Sequence, residues 1–229
     1  MKPKKRNSIP VYRNRNIVAT LTGVERPSAN IKTGDMLQLS ILYRKEDPVT
    51  AKRKGLDRHN CGICPIKKEC YVRTEQMPLA VYRAVKGQPI QRAVSKRALS
   101  KPIRLGAYGD PAMLPTDLLK QMTDGKKHTG YSHQWDSPTV STDYSEFLMA
   151  SVETVEGAKK AQKKGYRTFR IGSEPLEELN EILCPNYTTG VQCADCGLCA
   201  GNKVQAKNIV IPPHGSGKNS LLAIAKGGV

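Results

Sequence analysis

Aromatic residues and long apolar runs are scarce in this 229-residue chain. Two Phe, one Trp and nine Tyr leave the core to Leu, Ile, Val and Ala, a composition that suits a layered α/β protein. No segment approaches the roughly 18 apolar residues that a membrane-spanning helix needs. No apolar signal stretch follows the basic start MKPKKRNS. We therefore expect a soluble, cytoplasmic protein with no membrane partner.

A disulfide framework is also disfavoured. The number of cysteines is odd, at seven, and a chain of this length does not need disulfides to stabilise a small core. The cysteines fall into two short clusters, and their two-residue gaps allow a tight turn to bring neighbouring sulfurs to one ion or cluster. The sequence therefore predicts two metal-binding loops, with ligands Cys61, Cys64 and Cys70 in the first and Cys184, Cys193, Cys196 and Cys199 in the second, over residues 184–199.

Acidic residues are few in the first half of the chain. Residues 1–104 carry 24 Lys and Arg against 7 Asp and Glu, whereas residues 105–229 carry 13 of each. Any one basic run is typical of a solvated surface, but a one-sided positive field attracts polyanions. We therefore expect nucleic acid to bind through residues 1–104, with an acidic host protein as the alternative partner. The densest basic stretches are residues 2–6, 51–58 and 92–104.

The pattern along the chain predicts one folded domain behind an arm. Residues 1–16 are polar and interrupted by proline, which indicates a flexible basic arm, and residues 17–229 form the domain. Strands and helices alternate, and a strand–helix–strand unit at 146–172 requires parallel pairing. We predict a partial TIM-like (β/α) barrel of about six βα units. Other predicted strands are 17–23, 36–43, 102–109 and 208–213, and other predicted helices are 79–87, 91–99, 173–183, 219–226 and one that begins at 115.

Chemistry in parallel α/β folds collects on the loops that leave the carboxyl ends of the strands. The first cysteine loop, the turn at 106–111 and the aromatic-rich segment HTGYSHQW are placed there by the strand predictions. Alternation puts Tyr131 and His133 on one strand face and His128 on the other. The segment is interpreted as a platform that stacks a base, with buried structural side chains as the alternative. The substrate candidates are His128, Tyr131, His133, Trp135 and His214.

The order of these motifs resembles that of radical-SAM enzymes. In that family a three-cysteine loop after an early barrel strand holds a [4Fe-4S] cluster with one open iron site, and a Gly-Glu-Pro-type turn helps to bind S-adenosylmethionine. The resemblance implies a cluster on the first cysteine loop and a catalytic function of the radical-SAM type. It also implies that S-adenosylmethionine is bound by the turn GAYGDP, through Gly106, Gly109, Asp110 and Pro111.

The chain departs from that family in two places. Its cysteine spacing is C-x2-C-x5-C instead of C-x3-C-x2-C, and Asp110 stands where Glu is usual. His59 lies two residues before Cys61 and would complete a four-ligand zinc site, since imidazole and thiolate both suit zinc. Zinc is therefore the alternative to iron–sulfur clusters in both loops.

A closer similarity is to a family of uncharacterised proteins carried by phages, plasmids and bacterial genomes. It rests on ATLTG, CGICP, CYV, GAYGDPA, HTGYSHQW, FLMASVET, GYRTFRI and CGLCAG, and it extends from about residue 18 to the end. It implies a barrel and a mobile-element setting in a bacterial cell. The hypothesis is a radical-SAM-like iron–sulfur protein that acts on or with nucleic acid. The alternative is a non-catalytic nucleic-acid-binding module with structural zinc or iron–sulfur sites.

Overall fold

The computed structural model describes residues 6–91, 100–214 and 218–225, which form an α/β fold around one nine-stranded sheet. The strand order is β1-β2-β3-β4-β5-β6-β7-β9-β8, and the sheet does not close. All neighbours from β3 to β8 pair in parallel, while β1, β2 and β3 pair antiparallel. The strands are β1 Ser8–Arg13, β2 Ile17–Thr22, β3 Leu37–Tyr43, β4 Ile103–Tyr108, β5 His128–Ser132, β6 Met149–Val152, β7 Thr168–Ile171, β8 Glu181–Leu183 and β9 Asn208–Ile211.

The helices are short, and their ends follow local sequence signals. Asp47 caps α1 by accepting hydrogen bonds from the backbone N–H groups of Val49 and Thr50, and Thr154 caps α5 in the same way from Gly157. No helix among the described residues is long and apolar enough to cross a membrane. The helices are α1 Pro48–Arg53, α2 Arg58–Cys61, α3 Met77–Val85, α4 Thr116–Thr123, α5 Val155–Lys163, α6 Pro185–Thr189, α7 Cys193–Cys196 and α8 Lys218–Ala225.

The sheet is covered on both faces. On one face, here called the outer face, α4 packs through Leu119 on Ile103 and Leu105 of β4, and α5 packs on β6. On the other, the inner face, α3 packs through Val81 and Val85 near the antiparallel strands. The second cysteine loop covers the inner face at the other end of the sheet, where Cys199 packs against β6 and β9. Coverage of both faces explains why every residue of β3 is buried.

The predicted α/β fold with mostly parallel strands is confirmed, and the open sheet is consistent with a partial barrel. The strand–helix–strand unit at 146–172 corresponds to β6, α5 and β7, which pair in parallel. The predicted strands at 17–23, 36–43, 102–109 and 208–213 correspond to β2, β3, β4 and β9.

Two local predictions differ from the structure. Ser8–Arg13, inside the predicted flexible arm 1–16, form β1, which pairs with β2 and buries Ile9 in the core. The predicted helix 173–183 is a 3-10 turn, Glu177–Leu179, followed by β8. The basic residues 2–5, residues 92–99 of the predicted helix 91–99 and the glycine-rich residues 215–217 lie outside the described residues.

Candidate metal centres

The first cysteine loop lies over the carboxyl ends of β3, β4 and β5. Gln134, which follows β5, fixes the loop by three hydrogen bonds to its backbone. Its Oε1 accepts from the Ile63 N–H at 3.1 Å, and its Nε2 donates to the carbonyl oxygens of Cys61 at 3.2 Å and Ile63 at 2.8 Å. The loop and the HTGYSHQW segment therefore face each other. Sequence reasoning did not single out Gln134, although it lies within that segment.

The turn at 106–111 packs directly beneath this loop. Gly109 has φ +81°, and a Cβ there would lie 2.5 Å from the carbonyl oxygen of Ile41 and 2.9 Å from that of Asn60. The backbone N–H of Asp110 donates to the same Asn60 oxygen at 2.7 Å. Asn60 immediately precedes Cys61, so the turn determines where the cysteine loop begins.

The buried carboxylate of Asp110 joins β4 to β5. Its Oδ1 accepts hydrogen bonds from the backbone N–H of Ala112 at 2.9 Å and the hydroxyl of Ser132 at 2.8 Å, and its Oδ2 accepts from the backbone N–H of His133 at 2.9 Å. Burial raises the pKa of Asp110, and these three hydrogen bonds oppose that rise. In this arrangement the Asp110 carboxylate positions His133 relative to the cysteine loop.

His133 is the imidazole beside the first cysteine loop. Its Nε2 lies 2.9 Å from Oε1 of Glu153, and the ring also hydrogen-bonds with Cys64. Burial alone would lower the pKa of His133, but the bonds to Cys64 and Glu153 outweigh burial and raise the pKa to about 10. His59, the predicted zinc ligand, instead stacks on Tyr43 with ring centroids 4.9 Å apart.

The thiols of the first loop influence one another electrostatically. Burial raises the pKa of the Cys61 thiol, and the charges of Asp57, Asp110, Cys70 and Cys64 raise it further. All seven cysteines are free thiols. Within the described residues, which include all seven, no three His, Cys, Asp or Glu side chains form a ready metal site. Metal binding at either loop therefore requires the thiols to move closer together, as expected where binding and local folding are coupled.

The second cysteine loop connects β8 to β9. Cys184 follows β8 directly, and buried Cys199 accepts a hydrogen bond at its carbonyl oxygen from the Gly130 N–H of β5 at 2.9 Å. Burial raises the pKa of the Cys199 thiol to about 12; Tyr131 opposes the rise, and the charges of the other three cysteines add to it. The four thiols of this loop are thus close enough to influence one another electrostatically.

Basic side chains and backbone groups hold the second loop in place. The backbone N–H groups of Cys193 and Ala194 donate to the carbonyl oxygens of Lys32 at 2.9 Å and Thr33 at 3.2 Å. Burial raises the pKa of the Cys193 thiol, and the positive charge of Arg104 opposes that rise. A guanidinium beside these thiols favours a negatively charged thiolate centre. Lys127 Nζ donates to the carbonyl oxygen of Asp195 at 2.8 Å, and Arg167 Nη1 to that of Leu198 at 2.8 Å.

The five substrate candidates lie in different surroundings. His128 is buried on the outer face, with its ring nitrogen 3.1 Å from the carbonyl oxygen of Phe147, and burial lowers its pKa. The rings of Tyr131 and Phe169 lie with their centroids 4.3 Å apart on the inner face, near the second cysteine loop. The Trp135 indole donates to the carbonyl oxygen of Ser151 at 3.0 Å. His214 is exposed after β9, whereas His133 lies at the first loop.

The comparisons with known proteins yielded no match. No protein-family model, no curated protein and no solved structure matches this chain.

Proposed function

We propose that this protein is a radical-SAM-like iron–sulfur enzyme of a phage or other mobile element that acts on or with nucleic acid. The position of the first cysteine loop carries the proposal. The loop begins at Asn60, which lies at the carboxyl ends of β3 and β4 against the turn at 106–111. That edge gathers the ligand sites of parallel α/β folds, because loops from several strands meet there.

The donor set of the first loop suits an iron–sulfur cluster. Thiolates are the usual protein ligands of such clusters, and three neighbouring cysteines would leave one iron open. With S-adenosylmethionine, such a cluster supplies one-electron reductive cleavage of the sulfonium. In this chain Gln134 fixes the loop backbone, and Asp110 holds the backbone N–H of His133. The His133 ring then places a proton-carrying group between Cys64 and Glu153.

The second loop would hold an auxiliary or structural cluster. Its four cysteines supply a complete ligand set, so no iron would remain open. Arg104 provides a positive charge beside Cys193, and Lys127 holds the loop backbone. A metal centre in this loop would fasten the connection between β8 and β9 to the inner face of the sheet.

The metal content tests the proposal. Protein produced without oxygen should be brown and contain iron and sulfide, because the thiolates of both cysteine loops suit iron–sulfur clusters. Cys64→Ala should remove the first cluster and leave the second. Cys196→Ala should remove the second and lower the stability of the fold, because metal binding and folding are coupled. Iron, sulfide and zinc are measured in each purified variant. Colourless protein with stoichiometric zinc would contradict the proposal.

Cleavage of S-adenosylmethionine tests the enzymatic half. With dithionite as the electron donor, iron-replete protein should form 5′-deoxyadenosine and methionine, quantified by chromatography. Cys64→Ala should abolish the products, while Cys196→Ala should retain part of the activity, because the turn at 106–111 contacts the first loop through Asn60. If wild-type protein with full iron occupancy cleaves no S-adenosylmethionine, radical-SAM activity is excluded. The protein would then be a binding protein that carries iron–sulfur clusters.

The second candidate function is a non-catalytic nucleic-acid-binding module with structural zinc or iron–sulfur sites. The position of His133 favours it. Its ring bridges Cys64 and Glu153, and metal-bound histidines commonly use their second nitrogen to donate to a carboxylate. Three cysteines and His133 would then close a zinc site. In the metal analysis, His133→Ala should reduce zinc retention if this candidate holds, whereas it should leave iron content unchanged in the radical-SAM-like protein.

A further inference from the structure

A cavity of about 140 Å³ lies between the β1–β2 hairpin and α3, in the basic half of the chain. Val18 and Val85 form its apolar floor together with the half-buried ring of Tyr82. Its rim carries three exposed cationic side chains from three different elements, Arg13 from β1, Arg44 from the end of β3 and Lys86 from the end of α3. We call this cavity the basic pocket.

The cations of the basic pocket are bonded only to neutral groups among the described residues. Arg13 Nη2 donates to the carbonyl oxygen of Gln88 at 2.7 Å, and Arg44 Nη1 donates to that of Asn14 at 3.1 Å. These bonds hold the guanidinium groups in place but neutralise no charge. A guanidinium has five N–H donors, so most donors of both arginines remain available to a ligand. The ion pairs of the described residues do not include Arg13, Arg44 or Lys86.

The two carboxylates that act on Tyr82 are engaged elsewhere. Burial raises the pKa of the Tyr82 phenol, and the charges of Asp47 and Glu46 raise it further. Glu46 pairs with Lys54 at 2.9 Å, and Asp47 caps α1. The carboxyl end of α3 adds a partial negative charge, which is smaller than the three full positive charges at the rim. Arg6 lies close by, with Nη1 3.0 Å from Oε1 of Gln88.

We propose that the basic pocket binds a phosphodiester group of a nucleic-acid backbone, with the sugar against the apolar floor. Two guanidinium groups match the paired oxygens of a phosphate, and the ammonium of Lys86 adds a third positive charge. The pocket contacts the backbone only, so binding at this place is independent of base sequence. The inference rests on the nucleic-acid half of the proposed function and names the surface that carries it.

The test measures the affinity for a fluorescent mixed-sequence oligonucleotide at a series of salt concentrations. Each phosphate contact contributes roughly 0.7 to 0.9 to the slope of log affinity against log salt. Arg13→Gln with Arg44→Gln should flatten the slope by roughly 0.7 to 0.9, because the two arginines share one phosphate. The matched control is Lys120→Gln with Lys163→Gln, two exposed lysines on the outer helices α4 and α5, and it should leave the slope unchanged. Arg13→Lys with Arg44→Lys keeps the charge and should retain most of the slope.

The outcomes separate this inference from the proposed function. Suppose the wild type binds with a steep slope and the glutamine variant has the same slope as its control. This result would overturn phosphate binding at the basic pocket but would leave the proposed function standing. No binding of the oligonucleotide at about 0.1 M salt would overturn the nucleic-acid half of the proposed function itself. Displacement of the oligonucleotide by polyglutamate at equal charge would assign the pocket to an acidic protein instead. Thermal melts verify that every variant is folded.

Discussion

Replacing Glu181 with alanine is expected to lower the free energy of unfolding by about 3–5 kcal/mol. Glu181 in β8 and Arg170 in β7 form a bidentate pair, with Nε–Oε1 and Nη2–Oε2 distances of 2.7 Å each, and their side chains are 0% and 7% exposed. The variant leaves the Arg170 charge buried without its partner. It also removes the acceptor of the Leu176 N–H at 3.0 Å. Urea denaturation of both proteins in the same metal state measures the difference.

An exposed ion pair provides the control for Glu181. Lys160 pairs with Asp136 at 2.6 Å, but their side chains are 58% and 40% exposed, so Lys160→Ala should cost less than about 1 kcal/mol. The double variant Arg170→Met with Glu181→Leu should recover most of the loss, because no buried charge remains unpaired. A loss for Glu181→Ala as small as that for Lys160→Ala would show that the Arg170 charge is solvated.

Gly109→Ala is expected to destabilise the protein by about 2–5 kcal/mol and to lower the amount of metal retained by the first cysteine loop. The backbone at Gly109 has φ +81°, which strains any residue with a Cβ by about 1–2 kcal/mol. The new methyl group would also meet the carbonyl oxygens of Ile41 and Asn60, and relief of such overpacking costs about 1–3 kcal/mol. Movement of Asn60 displaces Cys61, which follows it. Urea denaturation and metal analysis give the two results.

Gly125→Ala separates backbone strain from the contact. Gly125 has φ +63°, but a Cβ there would meet no atom within 4 Å. This variant should therefore show only the strain of about 1–2 kcal/mol and should retain metal as the wild type does. If Gly109→Ala matched Gly125→Ala in both measurements, the close packing of the turn against the first cysteine loop would be refuted.

The periodic parts of the fold were predictable from sequence, because they depend on local patterns. The unit β6–α5–β7 has an apolar strand, an amphipathic helix that a glycine terminates and a second strand, and each signal is local. The polar appearance of residues 1–16 concealed β1, whose Ile9 is buried only because β2 lies beside it. The segment SEPLEELNEIL has helical periodicity. Asn180 adopts φ +49° there, and the pairing of Glu181 with Arg170 holds the next residues as a strand.

The candidate site was predictable only as separate pieces. Two cysteine loops and a turn after β4 follow from spacing and from strand prediction. The contacts that assemble them join residues far apart in the chain. Gln134 bonds to Ile63, 71 residues away, and His133 bonds to Glu153, 20 residues away. A single sequence gives no information about such pairs, which is why His59 was predicted beside the cysteines and His133 was not.

The position of β9 determines the order in which the last strands can join the sheet during synthesis. β9 lies between β7 and β8, although it follows both in sequence. A nascent chain that has emerged only as far as β8 cannot pair β7 with β8 in the final arrangement, because the place between them is reserved for β9. The segment that must bring β9 there is the second cysteine loop. The second cysteine loop therefore reaches its place in the fold only after residues 208–211 have left the ribosome, which makes its docking a late step of synthesis.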